Sequence, residues 1–251
     1  MSGHSKWSTI KRKKGAADAK RGAVFTRLAR EIALASREGG GDPETNFRLR
    51  IAVDKARASN MPKDNIERAI KRGTGESKEG GTIEEVMYEG YAPHGIALMI
   101  NVVTDNRNRA IADVRHILNR FGGSMGGDGS VAWQFTRISY FGFELQNKTE
   151  DAVFELAVEA GADDVVFDDG YAEILGPVDA FKTISDQLHK AGIQAEEAEL
   201  RMIPNQEIEL NTDEAIKVMK IIEALEELDD VQNVYSNLNI TDDALAELEA
   251  A

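Results

Sequence analysis

Apolar positions recur at helical spacing through the first third of this 251-residue chain. Between Ala16 and Arg37, Phe25, Leu28, Ala29, Ile32 and Ser36 share one side of a helix, opposite Lys20, Arg27, Arg30 and Arg37. Gly39-Gly40-Gly41 ends that helix, and Asp42-Pro43-Glu44 predicts the start of a second, with Asp42 as N-cap and Pro43 at the first helical position. Leu49, Val53 and Ala56 then face the first helix. Asn60-Met61-Pro62 breaks the pattern, and Lys63–Arg72 predicts a third helix with Ile66, Ala69 and Ile70 inward and Gly73 as its stop. These elements make a three-helix unit, basic on its outside.

Beyond Gly73 the pattern changes. The tract 73–81 has the glycine-rich composition of a flexible linker, so a domain boundary falls there. Ile83–Tyr91 and Ile96–Val103 read as paired strands around Pro93-His94-Gly95, followed by a helix over Asn106–Phe121 with Ile111, Val114, Ile117 and Leu118 inward. Ser130–Phe135 reads as another strand. A β-α-β-β-α-β series follows: Ile138–Leu145, Thr149–Ala160, Val165–Asp168, Tyr171–Leu175, Val178–Ala191 and Ala195–Ile203. That order is ferredoxin-like, and it brings the two chain ends side by side, so the unit inserts readily into another domain. After Pro204, a strand at Glu207–Leu210, a helix at Asp213–Leu228 and a strand at Val231–Leu238 complete the sheet begun at residues 83–135. The expected fold is therefore multidomain, α and α+β. A three-helix domain covers 1–76, a discontinuous α+β domain covers 77–137 plus 205–251, and a ferredoxin-like α+β domain of 138–204 is inserted in it.

Charge adds a direction to this layout. Residues 1–73 hold 18 Lys+Arg against 8 Asp+Glu, a net +10, whereas the remainder holds 12 against 36, a net −24. A basic segment on an acidic body is oriented by any polyanion, of which nucleic acid is the usual one, although a solvated charge face is the plain alternative. Lys6, Lys11, Arg12, Lys13, Lys14, Lys20 and Arg21 form an arm suited to phosphates, on which Trp7 either stacks a base or packs back on the helices. Arg27, Arg30, Lys63, Arg68, Lys71 and Arg72 extend the basic surface over the helices. Arg107 and Arg109 open a helix in the acidic part, against the positive end of its dipole, where they either meet an anion or pair with nearby carboxylates.

Other chemistry finds little support. The chain has no cysteine, which removes disulfides, thiol catalysis and Cys-based zinc sites, and its four histidines lie far apart, so neither a metal nor a cofactor is expected. No apolar run reaches membrane-spanning length, and a cytoplasmic location is expected. Within the glycine-rich loop that starts at Gly122, Gly127–Ala132 matches a relaxed dinucleotide pattern, but the loop follows a helix and opens a strand, the reverse of what that motif requires. Asp163-Asp164, Asp168-Asp169 and Asp229-Asp230 fall at turns and helix ends, as capping carboxylates do. No catalytic constellation assembles.

Several blocks together resemble the YebC/PmpR family, to which the mitochondrial translational activator of cytochrome c oxidase is related. They are Gly3-His4-Ser5-Lys6-Trp7, Asp18-Ala19-Lys20-Arg21, Gly39–Pro43, Asn60–Asn65, Tyr88–Tyr91, Asp105–Arg109, Asp128–Val131 and Met202-Ile203-Pro204. Ala92 and His94 depart from the glycine-rich form this turn often takes in the family. The resemblance implies three domains, with the ferredoxin-like one inserted in the second, and no enzymatic activity. It implies a nucleic-acid partner in one of two settings: a ribosome-associated translation factor relieving stalling at proline runs through rRNA or tRNA, or a DNA-binding transcriptional regulator. Few Asn or Gln accompany the Lys and Arg of the basic third, which suits backbone and shape recognition and hence the ribosome, and a monomer is expected.

Overall fold

The computed structural model describes residues 18–77 and 81–250. It contains two compact units, one formed by Phe135–Ile203 and the other by the chain on either side of that segment.

Helices α1 (Asp18–Gly39), α2 (Phe47–Ala58) and α3 (Lys63–Gly73) form the bundle, with Leu28, Ile32, Ala35, Leu49, Val53, Ala56, Met61 and Ile66 in its core. The second helix starts later than the Asp42-Pro43 signal predicts. Asp42 instead accepts the Glu44 N–H at 3.0 Å in a turn, and Asn46 caps α2 by accepting the Leu49 N–H at 3.1 Å. Buried Asn46 also donates to the Ala35 and Gly40 carbonyls, each at 2.7 Å, so one amide ties the end of α1 to the start of α2. That tertiary use decides the cap in its favour. Gly73, likewise, serves packing rather than a left-handed stop: a Cβ there would lie 2.2 Å from the Ala33 carbonyl oxygen, so α3 crosses α1 backbone against backbone.

In the body, β1 (Glu84–Tyr91) and β2 (Ala97–Thr104) pair antiparallel from Glu84–Thr104 to Tyr91–Ala97. His94 takes a left-handed conformation (φ 64°) in their turn. Helix α4 (Arg107–Arg120) follows, with Ala110, Val114 and Leu118 buried, so Ala110 takes the inward place expected of Ile111. A short β3 (Ser124–Met125) pairs on β1. The predicted strand at Ser130–Phe135 is instead a loop and a single 3-10 turn, Ala132–Gln134.

The inserted unit comprises β4 (Phe135–Glu144), α5 (Glu150–Glu159), β5 (Asp164–Asp168), β6 (Tyr171–Gly176), α6 (Phe181–Lys190) and β7 (Glu197–Pro204). Its sheet runs β5-β6-β4-β7, the ferredoxin-like order, with first and last strands adjacent. Phe141, Phe143, Ile174, Ile184 and Leu188 fill one face, where Phe141 and Phe181 stack at 4.8 Å. Arg201 lies 3.5 Å over the Tyr140 ring and pairs with Glu197 and Glu199. Burial alone would lower its pKa, but these carboxylates raise it well above the usual arginine value.

After the insertion come α7 (Thr212–Glu226), β8 (Val231–Ser236) and α8 (Asp242–Ala250). Strand β8 joins β2, giving the order β3-β1-β2-β8, so the last segment completes the first sheet as its apolar pattern predicts. The strand expected at Glu207–Leu210 is reduced to one bridge, Ile208 to Leu238, and α8 was not anticipated. Leu98, Ile100 and Val102 of β2 pack on α4 and α7, and Val103 on the other face meets Ala33 and Leu34 of α1 with Ile83. The sheet is thus covered by α4 and α7 on one side and by the bundle on the other. The bundle and the body therefore belong to one compact unit.

Two glycines of the bundle separate packing from propensity. Gly73→Ala should destabilise the protein by about 1–3 kcal/mol, as overpacking does. Gly22→Ala, mid-helix with open space around it, should stabilise by roughly 0.5–1 kcal/mol. Urea titration of both variants checks the pair; a neutral Gly73→Ala would refute the close crossing.

Candidate nucleic-acid interface

Helix α1 is apolar on two sides: Leu28, Ile32 and Ala35 face the bundle core, whereas Ala33 and Leu34 face the body. Its arginines are consequently drawn inward, not out along a free basic stripe. Arg30 donates to the Asp229 carbonyl and pairs with the Asp230 carboxylate at 2.7 Å. Arg37 donates to the Ile83 carbonyl. Arg27 is half-buried, and that desolvation lowers its pKa despite the attraction of Asp229.

Asp230 is the centre of a larger cluster. It lies just before β8, its side chain 8% exposed, and takes three hydrogen bonds from Arg109 at 2.9–3.2 Å. Arg109 also reaches Asp105 at 3.0 Å, and Asp105 receives Arg72 of α3 at 2.9 Å. The chain of contacts is therefore Arg72–Asp105–Arg109–Asp230–Arg30, three guanidiniums on two carboxylates, linking bundle to body. Burial pushes the Asp105 carboxyl up, but the hydrogen bonds and charges of Arg109 and Arg72 outweigh it and hold it below the usual aspartate range. The hydrogen bonds that Arg109 donates to Asp230 chiefly raise the arginine's pKa, against some desolvation. Asp230 is thus an ion-pair hub, where its sequence context suggested a backbone cap.

The other expected contacts are distributed differently. Arg107 is more than half exposed and lies 3.7 Å from Glu84. Lys63, Arg68 and Lys71 are exposed on α3, Lys63 being 3.6 Å from Glu67. Lys6, Trp7, Lys11, Arg12, Lys13 and Lys14 lie outside the described residues, and Lys20 and Arg21 lie in α1 beyond the described side chains. Among the described side chains, then, the outward-facing cations of the predicted set are those of α3 together with Arg107.

One arrangement had no signal in the local sequence. Glu89 of β1, 9% exposed, accepts the N–H groups of Gly129 (2.6 Å), Val131 (2.6 Å) and Ala132 (2.9 Å). Burial raises the Glu89 carboxyl, yet these donors and the Ser130 hydroxyl bring it below the usual glutamate range. The carboxylate folds the glycine-rich segment into a fixed loop that ends in Trp133, whose ring is 73% exposed. Among the described residues no group of three or more His, Asp or Glu could hold a metal, and no helix is long and apolar enough to cross a membrane.

Known proteins with this layout share its full length. Residues 5–76 match the family described as "TACO1/YebC protein N-terminal domain", and residues 83–238 match "TACO1/YebC second and third domain". A "Probable transcriptional regulatory protein" of Acidithiobacillus ferrooxidans is 53% identical over 251 residues, covering 100% of this chain and 99% of that one. A protein of the same description from Nitrosococcus oceani is 50% identical over 249 residues, 99% and 100% of the two chains. The crystal structure of a conserved hypothetical protein from Aquifex aeolicus superimposes with a TM-score of 0.82 at 42% identity, covering 90% of this chain and 93% of that one.

The ion-pair cluster and the Glu89 loop make separable demands on stability. Asp230→Ala removes the carboxylate that Arg30 and Arg109 share and should cost about 2–4 kcal/mol, whereas Arg107→Ala should cost under about 0.5 kcal/mol. Denaturant midpoints measure both. Glu89 and Asp105 have depressed folded pKa values, so their stabilisation is complete above the unfolded carboxylate pKa, about 4, and is lost as pH falls through the folded values. Glu89→Gln should therefore be destabilised at pH 7 and lose part of the wild-type decline below about pH 4. An unaltered acid profile contradicts the role given to Glu89.

Proposed function

The chain belongs to the TACO1/YebC family, and from that premise we propose that it is a non-enzymatic, nucleic-acid-binding regulator of gene expression, acting on DNA as a transcriptional regulator. The relatives' shared description, "Probable transcriptional regulatory protein", supports this choice over translation. The observation that carries it is the helical bundle, which concentrates the positive charge of an acidic chain. Within it, α2, the Ser59–Pro62 turn and α3 have the lengths of a helix-turn-helix, and Asn60 (φ 57°) takes the left-handed position often given to glycine there. Lys63, Arg68 and Lys71 on α3 then meet phosphates, and Lys6, Lys11–Lys14, Lys20 and Arg21 extend the contact. Arg30, Arg72 and Arg109 act structurally, holding this surface on the body through Asp105 and Asp230.

A second reading, a ribosome-associated translation factor relieving stalling at proline runs, draws on the make-up of the same surface. The exposed residues of α3 include Asp64 and Glu67 beside its cations, and Asn65 is its one amide, a poor set for reading base edges. Such a surface suits backbone and shape recognition.

Binding of the full chain to duplex DNA and to structured RNA, followed by anisotropy across a KCl series, tests the shared part. Arg68→Ala with Lys71→Ala should weaken binding to all sequences and flatten the salt slope by about two, roughly one per phosphate contact. An unchanged slope removes α3 from the interface. To choose between settings, chromatin pull-down should recover discrete promoters. An absence of promoters, together with increased ribosome occupancy at proline codons in a deletion strain, would reverse the ranking.

A further inference from the structure

Trp133 stands apart from every other large apolar side chain in the described residues. It is 73% exposed, whereas Val24, Phe154, Val158 and Val178 range from 36% to 54%. Tryptophan carries the largest apolar surface of any side chain, so a ring left in water on a folded domain calls for a reason. Mobility does not supply one. The three N–H bonds to Glu89 fix the loop leading to it, and the Tyr91 hydroxyl donates to the Ser130 carbonyl at 3.0 Å. The indole Nε1–H donates to that same carbonyl at 3.1 Å, which sets the ring plane. Behind it, Asn205 donates from its side chain to the Trp133 carbonyl at 3.0 Å and from its backbone to the Gln134 carbonyl at 2.7 Å. A buried carboxylate, a tyrosine and an asparagine thus hold an exposed ring in one orientation.

We propose that Trp133 is a stacking platform for an unpaired nucleobase, a contact on the acidic body separate from the basic bundle. The inference rests on the nucleic-acid reading above and extends it to a second site. With its only polar atom already used by Ser130, the ring has π surface left to offer, and a base is the nucleic-acid group that needs nothing else. The surroundings permit the approach. Although residues 74–251 carry a net −24, the stretches Gly129–Phe135 and Pro204–Gln206 contain no charged residue, with exposed Asp128 and Glu207 bordering them. Glu89, on the loop's inner side, is buried and turned to backbone N–H groups. Phosphates flanking a stacked base would meet the backbone and neutral side chains of these two stretches. A cationic side chain of a protein partner is the competing occupant of an indole face.

Fluorescence separates the possibilities, because the chain has two tryptophans and Trp7→Phe leaves Trp133 as the sole emitter. A single-stranded adenine-rich oligonucleotide should quench that emission in the full-length protein, and a fully paired duplex of the same length should not. In the Trp7-containing chain, Trp133→Ala should weaken single-strand binding about tenfold and Trp133→Phe should restore much of it. Neither should alter the melting temperature. If the oligonucleotide binds while emission and the Trp133→Ala affinity stay unchanged, the stacking site is wrong and the nucleic-acid reading stands. Quenching by oligolysine and not by the oligonucleotide assigns the ring to a cationic protein segment and likewise overturns the site. Failure of the full chain to bind any nucleic acid sinks both readings together.

Discussion

Strand β2 is buried on both of its faces, and a strand of that kind needs a cover on each side of its sheet. Leu98, Ile100 and Val102 are covered by α4 and α7; Val103, on the other side, is covered by α1. The bundle is therefore part of how the sheet stays dry. Magnitudes decide what holds it there. Leu34, Ile83 and Val103 are each worth about 1.5–3 kcal/mol when buried, whereas an exposed pair such as Arg48–Glu85 contributes about 0–1 kcal/mol. Apolar contact fixes the bundle on the body. The buried ion pairs around Asp230 then set its register, because a displaced Arg30 would leave that carboxylate short of a partner.

Most of the architecture was legible because it follows from local periodicity. The three helices, the β1–β2 pair, the ferredoxin-like order and the return of the last segment to the first sheet all come from apolar spacing and turn residues. The failures share a cause. Asp42-Pro43 is a sound local start signal, but Asn46 also closes onto Ala35 and Gly40, and that tertiary use moved the cap. Ser130–Phe135 has strand-like residues, yet its Val131 and Ala132 N–H groups go to a glutamate some 40 positions earlier. Arg30 and Arg37 of the basic stripe on α1 turn onto the body, and nothing local shows that Ala33 and Leu34 make a second apolar side. Asp230 and Trp133 are harder still: one looks like any turn aspartate, the other like a strand residue. Their significance lies in partners from distant parts of the chain.

Charge and fold are coupled more tightly than the composition suggests. The net +10 of residues 1–73 implies an undifferentiated basic surface. The structure divides it into arginines committed to carboxylates and cations left facing solvent on α3. Arginine suits the first role, since its planar fork serves two acceptors at once, as Arg109 does between Asp105 and Asp230. Lysine suits the second, as a hydrated point charge that follows phosphates without fixed geometry. Of the outward-facing cations on α3, two are lysines and one is arginine.

An acidic body joined to a basic bundle also limits how a polyanion can lie. At physiological ionic strength the Debye length is about 8 Å, so carboxylates repel a phosphate strand only where it passes close to them. Approach along α3 avoids the body's charge; continuation onto the body requires a path free of exposed carboxylates. The stretches beside Trp133, Gly129–Phe135 and Pro204–Gln206, are neutral up to the bordering Asp128 and Glu207, and the ring supplies an attraction that does not depend on charge. Salt would then weaken the bundle contact while leaving the stacking contact nearly intact. A partner engaging both sites would retain a residual affinity at high salt that phosphate contacts alone do not explain. Double-stranded DNA has no unpaired base to offer such a ring, whereas loops of structured RNA and locally opened DNA do. The two settings proposed for this family thus differ in a physical quantity, the salt-resistant fraction of binding, and not only in the name of the partner.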